Sequence, residues 1–209
     1  MDPTLTPAPN KTGRPRAEEA QQKLALLLSV AREQFIQLGY RAVTMRGVAE
    51  RAQVSTRTLY NRYADKLSLF TACLDFGAET AFPHLNPAPR AAVREVLVDY
   101  AGSIVRALSV DASLRLRMLI YREGGDFPEM LRAAEANQER YLVHPLAIYL
   151  REVGLERRDS DERTKLFLAL AISEWQRRVT FRRPLPSSDE IARHAQLVVS
   201  IFLDGAGVT

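Results

Sequence analysis

Apolar residues first recur at intervals of three and four across residues 17–38, where Leu24, Leu27, Leu28, Ala31, Phe35 and Leu38 share one face. That spacing predicts a long amphipathic helix, with Gly39 placed to end it. Two much shorter apolar groups follow. Val48, Ala49 and Ala52 mark a two-turn helix with Thr44 as its N-cap, stopping at Gln53-Val54. Ser55 caps a second short helix in which Leu59 and Tyr63 fall on one face at i and i+4, while Thr56, Arg57, Thr58, Tyr60 and Asn61 point away. A further helix starts near Lys66 and carries Leu69, Phe70, Cys73, Leu74 and Phe76 to about Ala81.

The next segment, FPHLNPAPR at 82–90, holds Pro83, Pro87 and Pro89 and is placed as the domain boundary, because no helix interior accepts such a run. Beyond it every segment has a helical period and none alternates like a strand. Val93, Val96, Leu97, Tyr100, Ile104 and Leu108 predict one helix; residues 112–123 predict a second, stopped by Gly124-Gly125. Pro128 suits the first turn of a third, which runs to Val153 with a kink near Pro145. Asp159-x-x-Glu162 and Ser187-x-x-Glu190 are capping-box patterns, so two more helices are expected from about 160 and 188. The expected fold is all-α with about nine helices. Residues 1–16 form a disordered basic arm, 17–81 an N-terminal domain with its connecting helix, and 90–205 a C-terminal domain.

Two short helices at a tight turn, the second with a small apolar platform under a face of hydrogen-bond donors, make a helix-turn-helix. This is what reading base edges in a major groove requires. Thr56, Arg57 and Asn61 are the expected base readers, Tyr60 and Lys66 the phosphate anchors, with Thr44, Arg46, Ser55 and Thr58 completing the candidate set. Lys66 opens a helix, where an ammonium and free backbone N–H groups together can hold a phosphate. Arg14 and Arg16 flank Pro15 in an extended hook suited to a narrow minor groove.

At Thr44, Val48, Ala49, Ala52, Val54, Ser55, Thr58, Leu59, Tyr60, Tyr63, Lys66 and Leu69 the chain resembles the TetR family of transcriptional regulators. It departs from that family's pattern at Gln53 and Arg57, where glycine is usual, and at Gly47, where an acidic residue is frequent. Gln53 must then take a turn dihedral that suits glycine. Gly47 is expected to weaken its helix by roughly 1 kcal/mol relative to alanine. The resemblance is strong over about residues 17–75 and general beyond.

Charge sharpens the picture. Up to Lys66 there are 11 Lys and Arg against 6 Asp and Glu, and the remaining 143 residues hold 18 against 19, so the excess of basic charge sits on the N-terminal unit. A basic head on a neutral body suits a polyanion. The single cysteine, Cys73, excludes an internal disulfide and reads as a packed core thiol. No stretch is apolar enough to span a membrane, and the N-terminus lacks the layout of a signal peptide, so a cytoplasmic location is expected. His84, His144 and His194 are scattered, and neither a phosphate loop nor a nucleophile elbow occurs. No enzyme activity, metal or cofactor is expected. Two alternatives stay open: an all-α enzyme with an incidental helix-turn-helix, and a helix-turn-helix used only for protein contact.

What the resemblance implies is a homodimeric regulator, a repressor more than an activator, that binds double-stranded operator DNA and is released by a small-molecule inducer. It implies pairing through the last two helices. Residues 188–204 carry one stripe of Ile191, Ala195, Val198, Val199 and Phe202 and a second of Leu197 and Ile201, and 164–181 are similarly two-sided. The expected dimer interface is Leu170, Trp175, Leu197, Val198, Val199, Ile201 and Phe202. For an apolar or aromatic ligand the candidate contacts are Tyr100, Ile104, Arg117, Tyr121, Glu123, Phe127, Tyr141 and Trp175. Residues 117–123, RMLIYRE, with Phe127-Pro128-Glu129 look like a subgroup of such C-terminal domains. The connecting helix from Lys66 is the expected lever between ligand and DNA.

Overall fold

The computed structural model of the chain describes residues 14–82, 85, 92–156 and 161–205. Its elements run α1 (Arg14–Ala42), α2 (Met45–Arg51), α3 (Thr56–Arg62), α4 (Lys66–Ala81), α5 (Val93–Ser109), α6 (Asp111–Glu123), α7 (Pro128–Gln138), a π-helical turn (Glu139–Val143), α8 (His144–Glu152), α9 (Glu162–Thr180) and α10 (Ser188–Asp204). No strand occurs among the described residues. α7, the π turn and α8 follow one another without a break, so the ten α segments make nine helices among the described residues, as expected. The extra residue of the π turn comes just before Pro145, whose missing N–H falls in the first turn of α8.

Local chemistry explains most boundaries. Thr44 and Ser55 accept from Gly47 N and Thr58 N as N-caps of α2 and α3. Ser187 and Glu190 close a reciprocal capping box at the head of α10, and Gly154 (φ 77°) and Gly205 (φ 81°) follow α8 and α10. Other boundaries depart from expectation. α1 begins at Arg14, with Pro15 in a first turn that leaves its N–H groups unpaired anyway, so the expected extended hook of Arg14 and Arg16 is a helix start. The remainder of the arm, the three prolines of the 82–90 segment, His84 and Asp159 lie outside the described residues. α9 has Asp161 at its N-cap position, and its orphan donors are met from outside: Glu156 accepts from Thr164 N (2.9 Å) and Thr164 Oγ1 (3.2 Å).

Two apolar clusters result. One gathers α1–α4, with Phe35, Phe70 and Tyr40 ring against ring, and extends into Leu116, Leu119 and Ile120 of α6 and Met130 of α7. The other gathers α5, α8, α9 and α10 around Leu97, Ile104, Leu146, Phe167 and Val199. Leu38, counted on the α1 stripe, is exposed: the chain turns at Gly39 (φ 84°) and delivers Tyr40 to the core in its place. Cys73 is buried, its thiol 3.6 Å from the Leu28 carbonyl and pushed up to about 12 by burial, as a packed core thiol requires.

The two-sided reading of the last helices is corrected in detail. Trp175, Val198, Val199 and Phe202 are buried in the chain's own core, so they are not free for a partner. The exposed apolar face of α9 and α10 consists of Leu166 (55% exposed), Leu197 (56%) and Ile201 (38%), with Leu170 half-buried beside them. Position 199 is two residues from 197 and 201, about 200° around a helix, which is why it faces inward when they face out.

Arg178 ties these helices together. Its guanidinium donates to Glu174 Oε1 (2.8 Å), Glu190 Oε1 (2.7 Å) and the Pro184 carbonyl (3.1 Å). Glu174 is held down to about 2, chiefly by hydrogen bonds from Arg177 and Arg178, and Glu190 to about 2, chiefly by the hydrogen bond from Arg178. Folded values below the ordinary carboxylate value mean that this contribution is complete above about pH 4.5 and is lost as pH falls toward 2. Arg178→Leu is therefore expected to lower Tm by a few degrees at neutral pH. In melts across an acid series, the gap to the parent chain should close as pH falls through that window.

Candidate nucleic-acid interface and ligand cavity

The helix-turn-helix is built from backbone hydrogen bonds that its sequence nearly forbids. At the end of α2, Gln53 N donates to Glu50 O (3.2 Å) and Val54 N to Ala49 O (3.0 Å), the paired bonds of a Schellman turn. That turn needs a left-handed residue, and Gln53 supplies it at φ 55°. Val54 then packs against the core beside Leu59, which is fully buried under α3. Gln34 of α1 reaches across to donate to Gly47 O (3.1 Å), locking α2 to the long helix. A Cβ at Gly47 would lie 3.2 Å from Thr44 Oγ1, the capping acceptor, so alanine's better helix propensity is offset by crowding of the cap.

α3 turns Thr56, Arg57, Thr58, Tyr60 and Asn61 to solvent, as the spacing predicts. Thr58 Oγ1 lies 2.7 Å from Ser55 Oγ, which stiffens the first turn. Arg57 has no ion-pair partner among the described residues, and neither does Arg62, an exposed arginine in the last turn that the sequence reading passed over. Arg46 is exposed and reaches Glu50 at 2.8 Å, an i,i+4 surface pair easily exchanged for another anion.

Lys66 differs from its expected role. Its Nζ donates to the carbonyls of Tyr40 (2.8 Å) and Arg41 (3.4 Å) and sits 4.5 Å from the Tyr40 ring centroid. Asp65 occupies the α4 N-terminus itself, accepting from Ser68 N at 2.7 Å in a reciprocal box. Two of the ammonium's three donors and the Ser68 amide are taken, so Lys66 serves here as a structural joint between α4 and the end of α1.

The opposite side of that joint comes from the other half of the chain. Glu123, at the end of α6, accepts from Arg41 N at 3.3 Å, and its Oε1 lies 2.5 Å from where a Cβ on Gly39 would stand. Burial acts to raise the Glu123 carboxyl, but hydrogen bonds from Arg122, Arg41 N and Tyr40 N hold it below its ordinary value. Phe127 packs edge-on to Tyr40 at 5.0 Å under the Arg41 guanidinium. Glu123 and Phe127 were expected at a ligand; they clamp the head instead.

A cavity of about 500 Å³ lies among α4, α6, α7 and the π turn. Leu74, Gly77 and Ala78 of α4, Leu116 and Ile120 of α6 and Leu142 give it apolar walls; the small residues of α4 make the room. Of the expected ligand contacts, Arg117 and Tyr121 line it, and Trp175 lines a narrow extension of about 30 Å³ that shares Arg117, Tyr121 and Gln138 with the main chamber. Tyr100 and Ile104 are core residues outside the lining, Tyr100 Oη donating to Leu142 O at 3.3 Å, and Tyr141 Oη donates outside it to Glu79 at 2.9 Å. Arg32 of α1 also lines the chamber. The sequence reading passed over it, although Arg32 stands four residues after Leu28 and three before Phe35, on the flank of the α1 apolar stripe. Among the described residues no group of acidic, histidine or cysteine side chains could hold a metal ion. None of the helices described is long and apolar enough to cross a membrane.

A helix-turn-helix head whose core is completed by a helical body with an internal chamber defines the architectural class. Residues 27–73 match the model for bacterial regulatory proteins of the tetR family. The HTH-type transcriptional regulator YdeS of Bacillus subtilis is 30% identical over 130 residues, which is 62% of this chain and 57% of YdeS, so the match spans little more than half of that relative. The flavonoid-responsive regulator FrrA has a similar structure, with TM-score 0.72 and 23% identity over 88% of this chain and 96% of that one. A TetR transcriptional regulator from Agrobacterium tumefaciens gives TM-score 0.67 and 21% identity over 87% and 93%. The tetR-family match thus falls on the helix-turn-helix head, and the likeness to the solved regulators is one of fold.

Two backbone positions in the head predict opposite effects. Gln53→Gly should stabilise the protein by about 1 kcal/mol by removing a left-handed side-chain conformation. Gly39→Ala should destabilise it by about 1–3 kcal/mol from backbone strain alone, and further because Glu123 must be displaced. Urea unfolding of the two variants beside the parent chain measures both.

Proposed function

We propose that the protein is a homodimeric, sequence-specific DNA-binding transcriptional regulator, a repressor whose hold on its operator is loosened by a small molecule in the cavity. The observation that carries this reading is α3: a seven-residue helix fixed from below by Leu59 and at its start by the Ser55 cap, presenting six polar side chains to solvent. In this reading Thr56, Arg57 and Asn61 meet base edges, and Tyr60 and Arg46 meet phosphates. Lys66 acts indirectly, by holding α4 against the end of α1.

Operator half-sites about one DNA turn apart need two heads, hence a dimer. The supporting surface is the exposed face of Leu166, Leu170, Leu197 and Ile201 on α9 and α10. The similar regulator FrrA is named for its response to flavonoids, which favours an apolar or aromatic ligand here. A tenfold loss of DNA affinity requires the ligand to prefer the wrongly spaced dimer by about 1.4 kcal/mol. α4 and α6 are the two levers that geometry offers. α4 runs from the Lys66 joint into the chamber wall, and α6 runs from the chamber wall to the Glu123 clamp.

The test of DNA recognition is selection of binding sites from random duplexes. Arg57→Ala should relax preference at one base-pair position per half-site, by about 1–3 kcal/mol; an unchanged selected sequence removes Arg57 as a reader. Failure of the parent chain to select any sequence would overturn the reading as a whole. For the dimer, Leu197→Asp should give folded monomers on a calibrated column, with operator binding sharply weakened. Val199→Asp should instead lower folding stability by about 4 kcal/mol or more, because it buries an unpaired charge. A parent chain already monomeric at micromolar concentration would exclude pairing through this face.

A further inference from the structure

The charged groups of the cavity are unevenly placed. Its acids, Glu135 and Glu139, and the cation Lys165 are exposed, whereas Arg32 and Arg117 are half-buried, and neither arginine has an ion-pair partner among the described residues. Arg32 stands on the α4 side, its Nη1 3.9 Å from where a Cβ on Gly77 would sit. Arg117 stands at the mouth of the narrow extension, its guanidinium carbon 5.8 Å from the centre of the Trp175 ring. Trp175 is 2% exposed, yet its Nε1 meets no acceptor among the described residues. The residues that carry an unpartnered indole N–H and an unpaired guanidinium thus both line the narrow extension, beside the apolar walls of the chamber. Neither group accepts a hydrogen bond, so what they recognise must be an acceptor, and the guanidinium favours an anion.

We propose that the cavity takes an apolar molecule bearing a single carboxylate, with its acid group received by Arg117 and Trp175 Nε1 and its body lying along Leu116, Ile120 and Leu142. This rests on the reading of the protein as a ligand-responsive regulator and narrows the chemical class of its ligand. A neutral ligand could satisfy the indole but would leave the Arg117 charge half-desolvated and unpaired. A cationic ligand would be repelled by both arginines. A dianion such as a phosphate monoester would need a second cation beside Arg117, and the lining of the narrow extension holds none, the chamber's third cation, Lys165, being exposed. The chamber volume of about 500 Å³ falls within the range of small-molecule sites.

Trp175 is the sole tryptophan of the chain, so its emission reads the site directly. The full chain should be titrated with two matched pairs, biphenyl-4-carboxylate with its primary amide, and decanoate with decanamide. At least one acid is expected to change Trp175 emission and to bind at least tenfold more tightly than its amide. In Arg117→Gln the pair should converge to within about threefold while amide binding is unchanged; Trp175→Phe, followed by thermal shift, should weaken the acid severalfold. Equal affinity of acid and amide in the parent chain, an unchanged ratio in Arg117→Gln, or no binding of either acid at millimolar concentration would overturn the proposal. Retention of the selected duplex, measured in parallel, separates the two readings. An acid that binds with this preference but leaves DNA retention unchanged overturns the switch and keeps the ligand class, and an amide that binds as well as its acid and releases DNA does the reverse.

Discussion

The rest of the structure depends on the three peptide units after Gly39. There the long helix breaks at φ 84°, and the groups it frees are satisfied from both directions: the Tyr40 and Arg41 carbonyls by the Lys66 ammonium, the Arg41 amide by the Glu123 carboxylate. A helix end buried without such partners would be costly. Here the donor comes from the helix that follows α3 and the acceptor from a helix more than 80 residues along the chain. The Tyr40 ring is shared in the same way, stacked with Phe35 and edge-on to Phe70 and Phe127. Orientation of the helix-turn-helix is therefore fixed by side chains of the body, and no part of the head sets it alone.

That joint explains why the chamber stands where it does. Below the joint, α4 and α6 diverge, and the space between them is lined by Gly77, Ala78 and Ala81 on one side and Leu116 and Ile120 on the other. Asp75 of α4 holds Asn137 Nδ2 (2.9 Å) and Arg140 (3.0 Å), so the far wall is pinned to the same helix that leaves the joint. A molecule filling the chamber presses on two helices whose other ends meet at Gly39 and Tyr40. Packed interiors transmit such displacement because they cannot compress, and Leu59 of α3 shares one apolar cluster with Leu74 of α4 and Leu116 and Ile120 of α6.

The helical head was legible because its signals are local. Caps at Thr44 and Ser55 and the glycine stop at 39 each act within a turn or two of the residue that carries them. What remained hidden depends on contacts distant in sequence. A free lysine at a helix start and the same lysine spent on two carbonyls have one sequence, and only the approach of Tyr40 distinguishes them. Glu123 and Phe127 sit in the right segment for a ligand, but the hand of the turn after α6 aims them at the head. On α10 the stripes were read correctly as two, yet which stripe faces a partner is decided by where α5 and α9 pack, and periodicity alone assigned Val199 to the wrong side.

A division of labour between the two faces of α3 follows from its length. A seven-residue helix is too short to hold itself together in water, since nucleation is unfavourable below about 12–15 residues. Its order comes from Leu59 beneath it, from the Ser55 cap and from the Schellman turn before it, none of which involves Arg57, Tyr60 or Asn61. Replacing an outward residue then changes what the helix can recognise while leaving the contacts that order it intact. An arginine at 57, where the TetR-like pattern often has glycine, is tolerated for this reason: residue 57 is exposed on α3, while the packing that orders the helix runs through the buried Leu59.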